Sequence, residues 1–217
     1  MPLPEAIRAN APGFVRNSVR LRAAALWGGL IPPRAMHSDA EAALLAEMSR
    51  ASRSVVEIGV YEGSSAVVLC GAMRKDAALH LVDPFTEGGS ALRPGQRAVP
   101  AATRRAVERS RTGAGPELCW HLEFSQELAR SWSEVVDLIF IDGDHSEAGC
   151  REDWELWNGF VGEEGTVVFH DARSGHEGGV GLPGPTAVVD SLFRGSEPLP
   201  GWRIVAECDS AVAVARR

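Results

Sequence analysis

The sequence contains little cysteine, and its cysteines are widely separated. Its 217 residues include four of them, Cys70, Cys119, Cys150 and Cys208, and no two form a C-x-x-C pair. This spacing is unlike that of zinc sites or of small disulfide frameworks. We therefore expect free thiols in a reducing compartment, with the cytoplasm as the expected location.

An excess of positive charge is also missing. The chain has 22 lysines and arginines against 29 aspartates and glutamates, a formal net charge of −7. Nucleic-acid binding requires a basic surface that displaces condensed counterions, so this balance argues against a nucleic-acid partner. Arg104, Arg105, Arg109 and Arg111 share one predicted helix, which is typical of a solvated helix face.

Long hydrophobic runs are absent as well. The apolar stretch over residues 23–31 is short and contains Gly28 and Gly29, whereas a membrane-spanning helix takes about 20 residues. It also starts too far from Met1 for a secretory signal. We expect no membrane partner.

The composition is that of a soluble globular protein, with 45% hydrophobic and 24% charged residues. Residues 1–36 contain five prolines and are predicted to form a helical arm or lid. Residues 37–217 are predicted to form the main domain. Proline-rich arms of this kind often pack on a partner subunit, so a homodimer is one expectation.

Beyond a helix predicted over residues 39–50, strands and helices alternate, which predicts an open, mostly parallel α/β sheet. Trp154 and Trp157 lie three apart on one predicted helix and are expected in the core. A tight turn at residues 208–210 makes the last two strands antiparallel. Residues 86–99 are predicted to form a lid or substrate loop, and residues 174–184 a pocket rim or a connector. The predicted strands cover residues 54–58, 77–82, 118–122, 135–141, 166–169, 203–207 and 211–215; the other predicted helices cover 64–73, 101–111 and 186–193.

The turn after the first strand is rich in glycine and is followed by a helix. Gly59 and Gly63 allow a ligand close to the backbone, and the helix N-terminus lies directly behind them. A dinucleotide-binding turn would carry a glycine where this chain has Glu57, and an acid there repels pyrophosphate. An acid suits a ligand with positive charge, such as the sulfonium and amino groups of S-adenosylmethionine (SAM).

The pattern E-x-G-x-x-x-G-x-S over residues 57–65 resembles the first motif of class I SAM-dependent methyltransferases. The resemblance implies a Rossmann-like fold of seven mostly parallel strands ending in an antiparallel hairpin. It also implies that Gly59 and Gly63 line the amino-acid end of SAM, with Glu57 near its amino group. The same turn contributes Tyr61, Ser64 and Ser65 to the predicted cofactor site.

Two further positions extend the predicted cofactor site. Asp83 ends the next strand, 20 residues beyond Gly63, where a carboxylate can accept hydrogen bonds from both ribose hydroxyls. Ser125 lies where the family contacts adenine, and a helix cap explains the same serine equally well.

Acids and histidines follow two further strands that are expected to be neighbours. The motifs are I-D-G-D-H-S at residues 141–146 and G-T-V-V-F-H-D at residues 165–171. Neighbouring parallel strands lie about 4.8 Å apart, so Asp142, His170 and Asp171 should meet in one patch. A purely structural alternative is that Asp171 caps a turn and His145 caps a helix.

These motifs, with Asp153 and Trp157 between them, resemble the family 24 type of SAM methyltransferases. That group includes macrolide-sugar O-methyltransferases and cephalosporin-hydroxylase-like proteins, and catechol-type enzymes are more distant. The resemblance spans residues 54–171. It implies methyl transfer from SAM to a hydroxyl of a small molecule, such as a sugar or a natural-product scaffold. It also implies a magnesium ion held by Asp142 and Asp171, with Asp142 bordering the cofactor.

The sequence departs from this family at one metal position. Metal-dependent relatives place two acids, or Asp-Asn, side by side, whereas here Asp171 follows His170. Histidine is a poor magnesium ligand, so the site is weaker, takes a softer ion, or uses no metal. Without a metal, His145 or His170 would be the general base, since an ordinary histidine pKa near 6.5 suits that task.

Three other functions remain open at this point. An amine acceptor needs a base and no metal, so N-methylation is one alternative. A SAM-fold binding protein without turnover is another. An NAD-dependent oxidoreductase is disfavoured by Glu57 and by the antiparallel final hairpin.

Overall fold

The computed structural model describes residues 18–85, 97–111 and 115–216. Its strands form one seven-stranded sheet in the order β3-β2-β1-β4-β5-β7-β6, where the strands are β1 (Ser54–Ile58), β2 (Ala78–Val82), β3 (Glu117–His121), β4 (Val136–Ile141), β5 (Val161–Phe169), β6 (Trp202–Cys208) and β7 (Ala211–Arg216). Strands β1 to β5 pair in parallel, and β7 is antiparallel to both β5 and β6. The predicted mostly parallel sheet with an antiparallel C-terminal hairpin is confirmed.

Helices connect these strands, and the predicted alternation is confirmed. They are α1 (Val19–Trp27), α2 (Asp39–Ser49), α3 (Ser64–Ala72), α4 (Pro100–Ser110), α5 (Ser125–Ala129), α6 (Glu147–Trp157) and α7 (Pro183–Val189), with a 3-10 turn at Asn158–Phe160 and a π-helical turn at Asp190–Arg194. In the described parts of the chain, no helix is long and apolar enough to cross a membrane. Residues 1–17 of the predicted arm and 86–96 of the predicted lid lie outside the described residues.

Two apolar layers cover the two faces of the sheet. Alternate residues of the central strands point to opposite sides, so Val55 and Leu79 join one layer and Val56 and Ile139 the other. All four are fully buried, as is typical of parallel strands covered on both faces. The second layer also contains Trp154 and Trp157, both buried, which confirms the prediction that these indoles belong to the core.

Strand β5 starts earlier than the sequence pattern indicated. The apolar run predicts a strand from Thr166, but the strand begins at Val161. Glu163 and Glu164 are exposed within it, and the pairing register with β4 shifts between Val136 and Leu138. A bulge of this kind accommodates extra polar residues and removes the apolar pattern on which the prediction relied.

Helix α1, from the described part of the predicted arm, packs against the turn after β1 and against α4. Leu26 of α1 is buried with Ala102 and Ala106 of α4. The Arg22 guanidinium donates two hydrogen bonds to the buried Glu62 carboxylate, at 2.6 and 2.5 Å. Arg109 of α4 donates to backbone carbonyls at the end of α1. This arginine therefore holds the end of α1 and is not a free solvated side chain.

Candidate active site

The turn between β1 and α3 has a backbone that requires glycine. Gly59, Tyr61 and Gly63 have φ values of 88°, 53° and 84°. A Cβ at Gly59 would overlap the backbone carbonyl of Asp142, and one at Gly63 would lie 2.7 Å from Val107 Cγ2. The two glycines thus provide left-handed conformations and also space. The turn therefore lies directly against the carboxyl end of β4.

Glu57 at the end of β1 is fully buried. The Ser65 hydroxyl donates to its Oε1, while Oε2 has no partner among the described residues. Burial raises the pKa of Glu57 well above its ordinary value, and the nearby Asp142 and Asp83 raise it further. A buried carboxylate oxygen without a donor is unfavourable, and a cationic group would satisfy it.

Asp83 fixes the same turn through its carboxylate. Its Oδ2 accepts hydrogen bonds from the backbone N–H groups of Val60 and Tyr61, at 3.0 and 2.8 Å, and its Oδ1 accepts one from Phe85, at 2.6 Å. A carboxylate has about four acceptor positions. Asp83 could therefore accept the predicted ribose hydroxyls only at the positions that the backbone N–H groups leave free. The sequence pattern did not indicate that Asp83 also holds the backbone of two loops.

Ser125 is the first residue of α5, and the residue at the N-cap position is Phe124. The helix-cap alternative is therefore wrong. The Ser125 hydroxyl donates instead to the buried carboxylate of Asp153 on α6. Burial raises the pKa of Asp153 to about 6, although the Ser125 hydrogen bond opposes this shift. The contact gives Asp153, a part of the family motif, a role in holding Ser125.

Four side chains from two neighbouring strand ends meet in one group, the acid–histidine cluster, defined as Asp142, His145, His170 and Asp171. One ligand atom from each lies within 4.8 Å of the others. His145 Nε2 is 3.3 Å from Asp142 Oδ1 and 3.2 Å from Asp171 Oδ2. His170 Nδ1 is 2.9 Å from Asp142 Oδ1 and 3.7 Å from Asp171 Oδ2. The structure thus brings together the residues that strand spacing led us to expect in one patch.

The capping alternative for these residues does not account for the geometry. Helix α6 is capped by Ser146, whose hydroxyl accepts the N–H of Gly149 at 3.0 Å, so His145 is not the cap. Asp171 has a φ of 54°, a region that is unfavourable for residues other than glycine and that is common at functional sites. Its carboxylate faces the two histidines.

The carboxylates change the protonation of both histidines. Hydrogen bonds to Asp142 and Asp171 raise the pKa of His145 to about 9. Burial alone would lower the pKa of His170, but Asp142, Glu41 and Asp171 outweigh burial and raise it to about 11. Without a bound cation, this arrangement keeps both imidazoles charged at neutral pH. The ordinary pKa assumed from the sequence therefore does not apply.

Accessibility separates the two histidines. The His145 side chain is 28% exposed, whereas that of His170 is 5% exposed. A substrate can therefore reach His145 more easily than His170. The start of α7 lies close to His145, because a Cβ at Gly184 would overlap the His145 backbone carbonyl. The Leu182 N–H, directly before α7, donates to the Asp171 carbonyl at 2.8 Å. The end of the segment predicted as a pocket rim or a connector therefore borders the cluster.

Sequence reasoning missed Glu41 of α2, which lies behind His170. Glu41 is 3% exposed, and its Oε2 is 3.5 Å from His170 Nε2. Its Oε1 accepts hydrogen bonds from the N–H and the hydroxyl of Ser210, at 2.8 and 2.5 Å. Burial would raise the pKa of Glu41, but His170, Ser210 and Ser38 together lower it to about 2. The capping box of Ser38 and Glu41 is the local signal, and it indicates only a helix start.

Comparison with known proteins identifies the family. A family model described as a methyltransferase domain, of family 24, matches residues 56–172. The chain belongs to this methyltransferase family. The match begins within β1 and ends just after Asp171, so it includes the glycine turn and the acid–histidine cluster. The resemblance found in the sequence is confirmed.

Solved structures share the fold of this methyltransferase at low sequence identity. An O-methyltransferase from Bacillus cereus in complex with SAH is 14% identical, with a TM-score of 0.59 over 96% of this chain and 93% of that one. TomG from Streptomyces achromogenes, an O-methyltransferase of tomaymycin synthesis in complex with SAM, is 14% identical, with a TM-score of 0.56 over 92% and 89%. The O-methyltransferase NovP is 14% identical, with a TM-score of 0.62 over 90% and 88%. These likenesses confirm the Rossmann-like fold of class I SAM-dependent methyltransferases.

Proposed function

We propose that this methyltransferase transfers a methyl group from SAM to a hydroxyl of a small molecule, such as a sugar or a natural-product scaffold. The observation that carries the proposal is the position of Asp142. Its backbone carbonyl lies against Gly59 of the glycine turn, and its carboxylate contacts His145 and His170. A methyl donor bound in the turn would therefore lie beside groups that can accept or release a proton. The O-methyltransferases with the same fold support a hydroxyl acceptor.

The turn fits a cofactor with positive charge. Glu57 offers a buried carboxylate oxygen without a partner, and Asp83 and Asp142 add negative charge around it. This field favours the sulfonium and amino groups of SAM and disfavours a pyrophosphate. The N-terminus of α3 has no side-chain cap, and a helix N-terminus suits the SAM carboxylate. Gly59, Tyr61, Gly63, Ser64 and Ser65 surround this position in the proposed site.

Methyl transfer requires alignment of the acceptor and removal of one proton. The sulfonium is already activated, so the protein supplies orientation and a base. The neutral form of His145 is the proposed proton acceptor, because Nε2 is accessible and faces two carboxylates. Since these carboxylates raise the pKa of His145 to about 9, the neutral fraction, and with it the rate of methyl transfer, should increase as pH rises toward 9. As the acceptor oxygen bonds to the methyl carbon, the carbon–sulfur bond breaks, SAH is released, and the hydroxyl proton passes to His145 Nε2. Asp142 and Asp171 then stabilise the imidazolium.

The acid–histidine cluster also fits a divalent cation. Asp142 and Asp171 offer carboxylate oxygens within 4.8 Å of each other and of the histidine nitrogens, and a cation bound there would replace the proton on His170 Nδ1. Such a cation would polarise the acceptor hydroxyl and thereby lower the pKa of that hydroxyl. Asp142, Asp171 and His170 are the residues that would hold it.

The proposal is tested by measuring SAH formation from SAM with a panel of hydroxylated small molecules and matched amines. We expect SAH and a methyl ether with a hydroxylated acceptor, and loss of both in the His145→Ala variant. His121→Asn, at the end of β3, is the control and should remain active. Methylation confined to amines would favour the N-methyltransferase alternative. SAH binding with no turnover on any acceptor would favour a binding protein.

A further inference from the structure

We infer that the acid–histidine cluster is built for a divalent transition-metal ion instead of magnesium, with His170 as a ligand that Glu41 orients. The inference deepens the proposed function and rests on it for the role of the ion in methyl transfer. The binding of the ion follows from the cluster itself and can be measured separately.

The donor atoms of the cluster are mixed. Two carboxylates and two imidazoles each place one ligand atom within 4.8 Å of the others. Magnesium prefers an all-oxygen octahedron and keeps several waters. Imidazole nitrogen suits the divalent ions of the later first transition series, whose affinities for nitrogen and oxygen sites exceed those of harder ions. A cluster that is half imidazole therefore favours a transition metal.

The burial of His170 is the second observation. Its side chain is 5% exposed, and neither ring nitrogen has a well-aligned hydrogen bond among the described residues. Carboxylate oxygens nevertheless lie close, at 2.9 Å from Nδ1 and 3.5 Å from Nε2. In the free protein these carboxylates balance the charge of the imidazolium. A cation held between His170 Nδ1 and the carboxylates of Asp142 and Asp171 would replace the proton on that nitrogen, because a histidine that binds a metal is neutral.

Glu41 provides the third observation, because it lies on the opposite side of the His170 ring. Nδ1 of His170 faces the cluster, and Nε2 faces Glu41 Oε2. Metal-binding histidines usually donate their second N–H to a carboxylate, which fixes the tautomer and the ring orientation. Glu41 is itself held by the N–H and hydroxyl of Ser210. The His170 ring thus lies between the Glu41 carboxylate and the cluster, which is the usual arrangement of a histidine that binds a metal.

Cobalt(II) is the probe for the test, because the position and intensity of its visible absorption change with its ligands and its coordination geometry. The EDTA-treated full-length protein is titrated with Co²⁺ alone, and then with Mg²⁺ in competition. We expect a visible band with micromolar affinity that millimolar Mg²⁺ does not displace. Glu41→Gln should weaken Co²⁺ binding about 10- to 100-fold, the usual effect of losing such a partner. His170→Asp should weaken the Co²⁺ band and strengthen Mg²⁺ binding.

Two controls separate ligation from general damage to the fold. Ser210→Ala removes one hydroxyl donor to Glu41 but keeps Glu41 and His170, so its Co²⁺ affinity should stay within a few-fold of wild type. His121→Asn removes an imidazole that lies 3.2 Å from His80, outside the cluster, and should leave the band unchanged. Circular dichroism and thermal unfolding establish that each variant is folded.

The inference is wrong if Mg²⁺ displaces Co²⁺ readily, or if neither ion binds. The latter result would mean that the two imidazoles and two carboxylates neutralise one another without a metal. An SAH titration of the same samples separates this failure from that of the proposed function. SAH binding without metal binding would support the proposed methyl transfer and reject the metal site. Metal binding without SAH binding would support the metal site and reject the proposed methyl transfer.

Discussion

Replacing Glu57 by glutamine should raise the stability of the free protein and lower its affinity for SAH. Burial holds the pKa of Glu57 well above its ordinary value. In the unfolded chain the pKa of a glutamate is near 4.3. Below this pH the Glu57 carboxyl is protonated in both the folded and the unfolded protein, and the free energy of unfolding has its full value. As pH rises further, the unfolded chain loses the proton first and the free energy of unfolding falls. Glutamine avoids this loss at neutral pH and can still accept the Ser65 hydrogen bond.

The expected loss of affinity follows from the unpartnered Oε2 of Glu57. In the proposed complex this oxygen accepts a hydrogen bond from the charged amino group. A hydrogen bond to a charged group contributes about 1.5–3 kcal/mol, which corresponds to SAH binding that is about 10- to 150-fold weaker. Calorimetric titration measures the affinity, and thermal and urea unfolding of the same preparations measure the stability.

Asp137→Asn is a matched isosteric control at the opposite end of the sheet. The Asp137 carboxylate accepts the N–H groups of Arg53 and Ser54, at 2.6 and 3.1 Å, so its amide variant should leave SAH affinity unchanged. If Glu57→Gln lowered stability and left SAH affinity at the wild-type value, Glu57 would be a structural residue that does not hold the cofactor's amino group.

Four other substitutions test further parts of the account. Asp83→Ala should lower the melting temperature and weaken SAH binding by at least about 1 kcal/mol, because its carboxylate fixes the turn; unchanged calorimetric affinity would reject the ribose assignment. Asp142→Ala should abolish SAH production while SAH affinity stays within a few-fold, and a fully active variant would exclude Asp142 from the mechanism. Asp153→Asn should raise the free energy of unfolding at neutral pH by about 3 kcal/mol, because the raised pKa, about 6, makes the wild type lose stability as pH rises from about 4 to 6. Equal urea unfolding curves at neutral pH would contradict that argument. Gly59→Ala should destabilise the protein by about 2–5 kcal/mol, since its Cβ would overlap the Asp142 carbonyl; a wild-type melting temperature would show that the turn relaxes.

The sheet and the meeting point of the cluster could be predicted because their signals are local. The apolar runs of β1 and β4 indicate buried parallel strands, and the glycines at 59 and 63 indicate a close turn. Once the strands are neighbours, their register brings Ile141 beside Phe169. The acids and histidines that follow must then meet. No feature beyond strand order and strand spacing is needed for that inference.

Features that depend on distant parts of the chain could not be predicted. Glu41 belongs to a capping box, and nothing in its neighbourhood indicates that the β6–β7 turn and His170 surround it. The pKa values of His145 and His170 depend on carboxylates brought together only by folding. The start of β5 is hidden because its bulge exposes two glutamates. Each of these features depends on residues that are brought together only by folding, and such contacts leave no periodic pattern in the sequence.

Calorimetric titration of the EDTA-treated protein with SAH decides whether the glycine turn binds the methyl donor, with NAD titrated as the comparison. We expect micromolar SAH binding and no NAD binding, because the buried Glu57 before the glycine turn favours a cation and repels pyrophosphate. Absence of SAH binding, or binding of NAD in its place, would contradict the assignment of the turn as a SAM site.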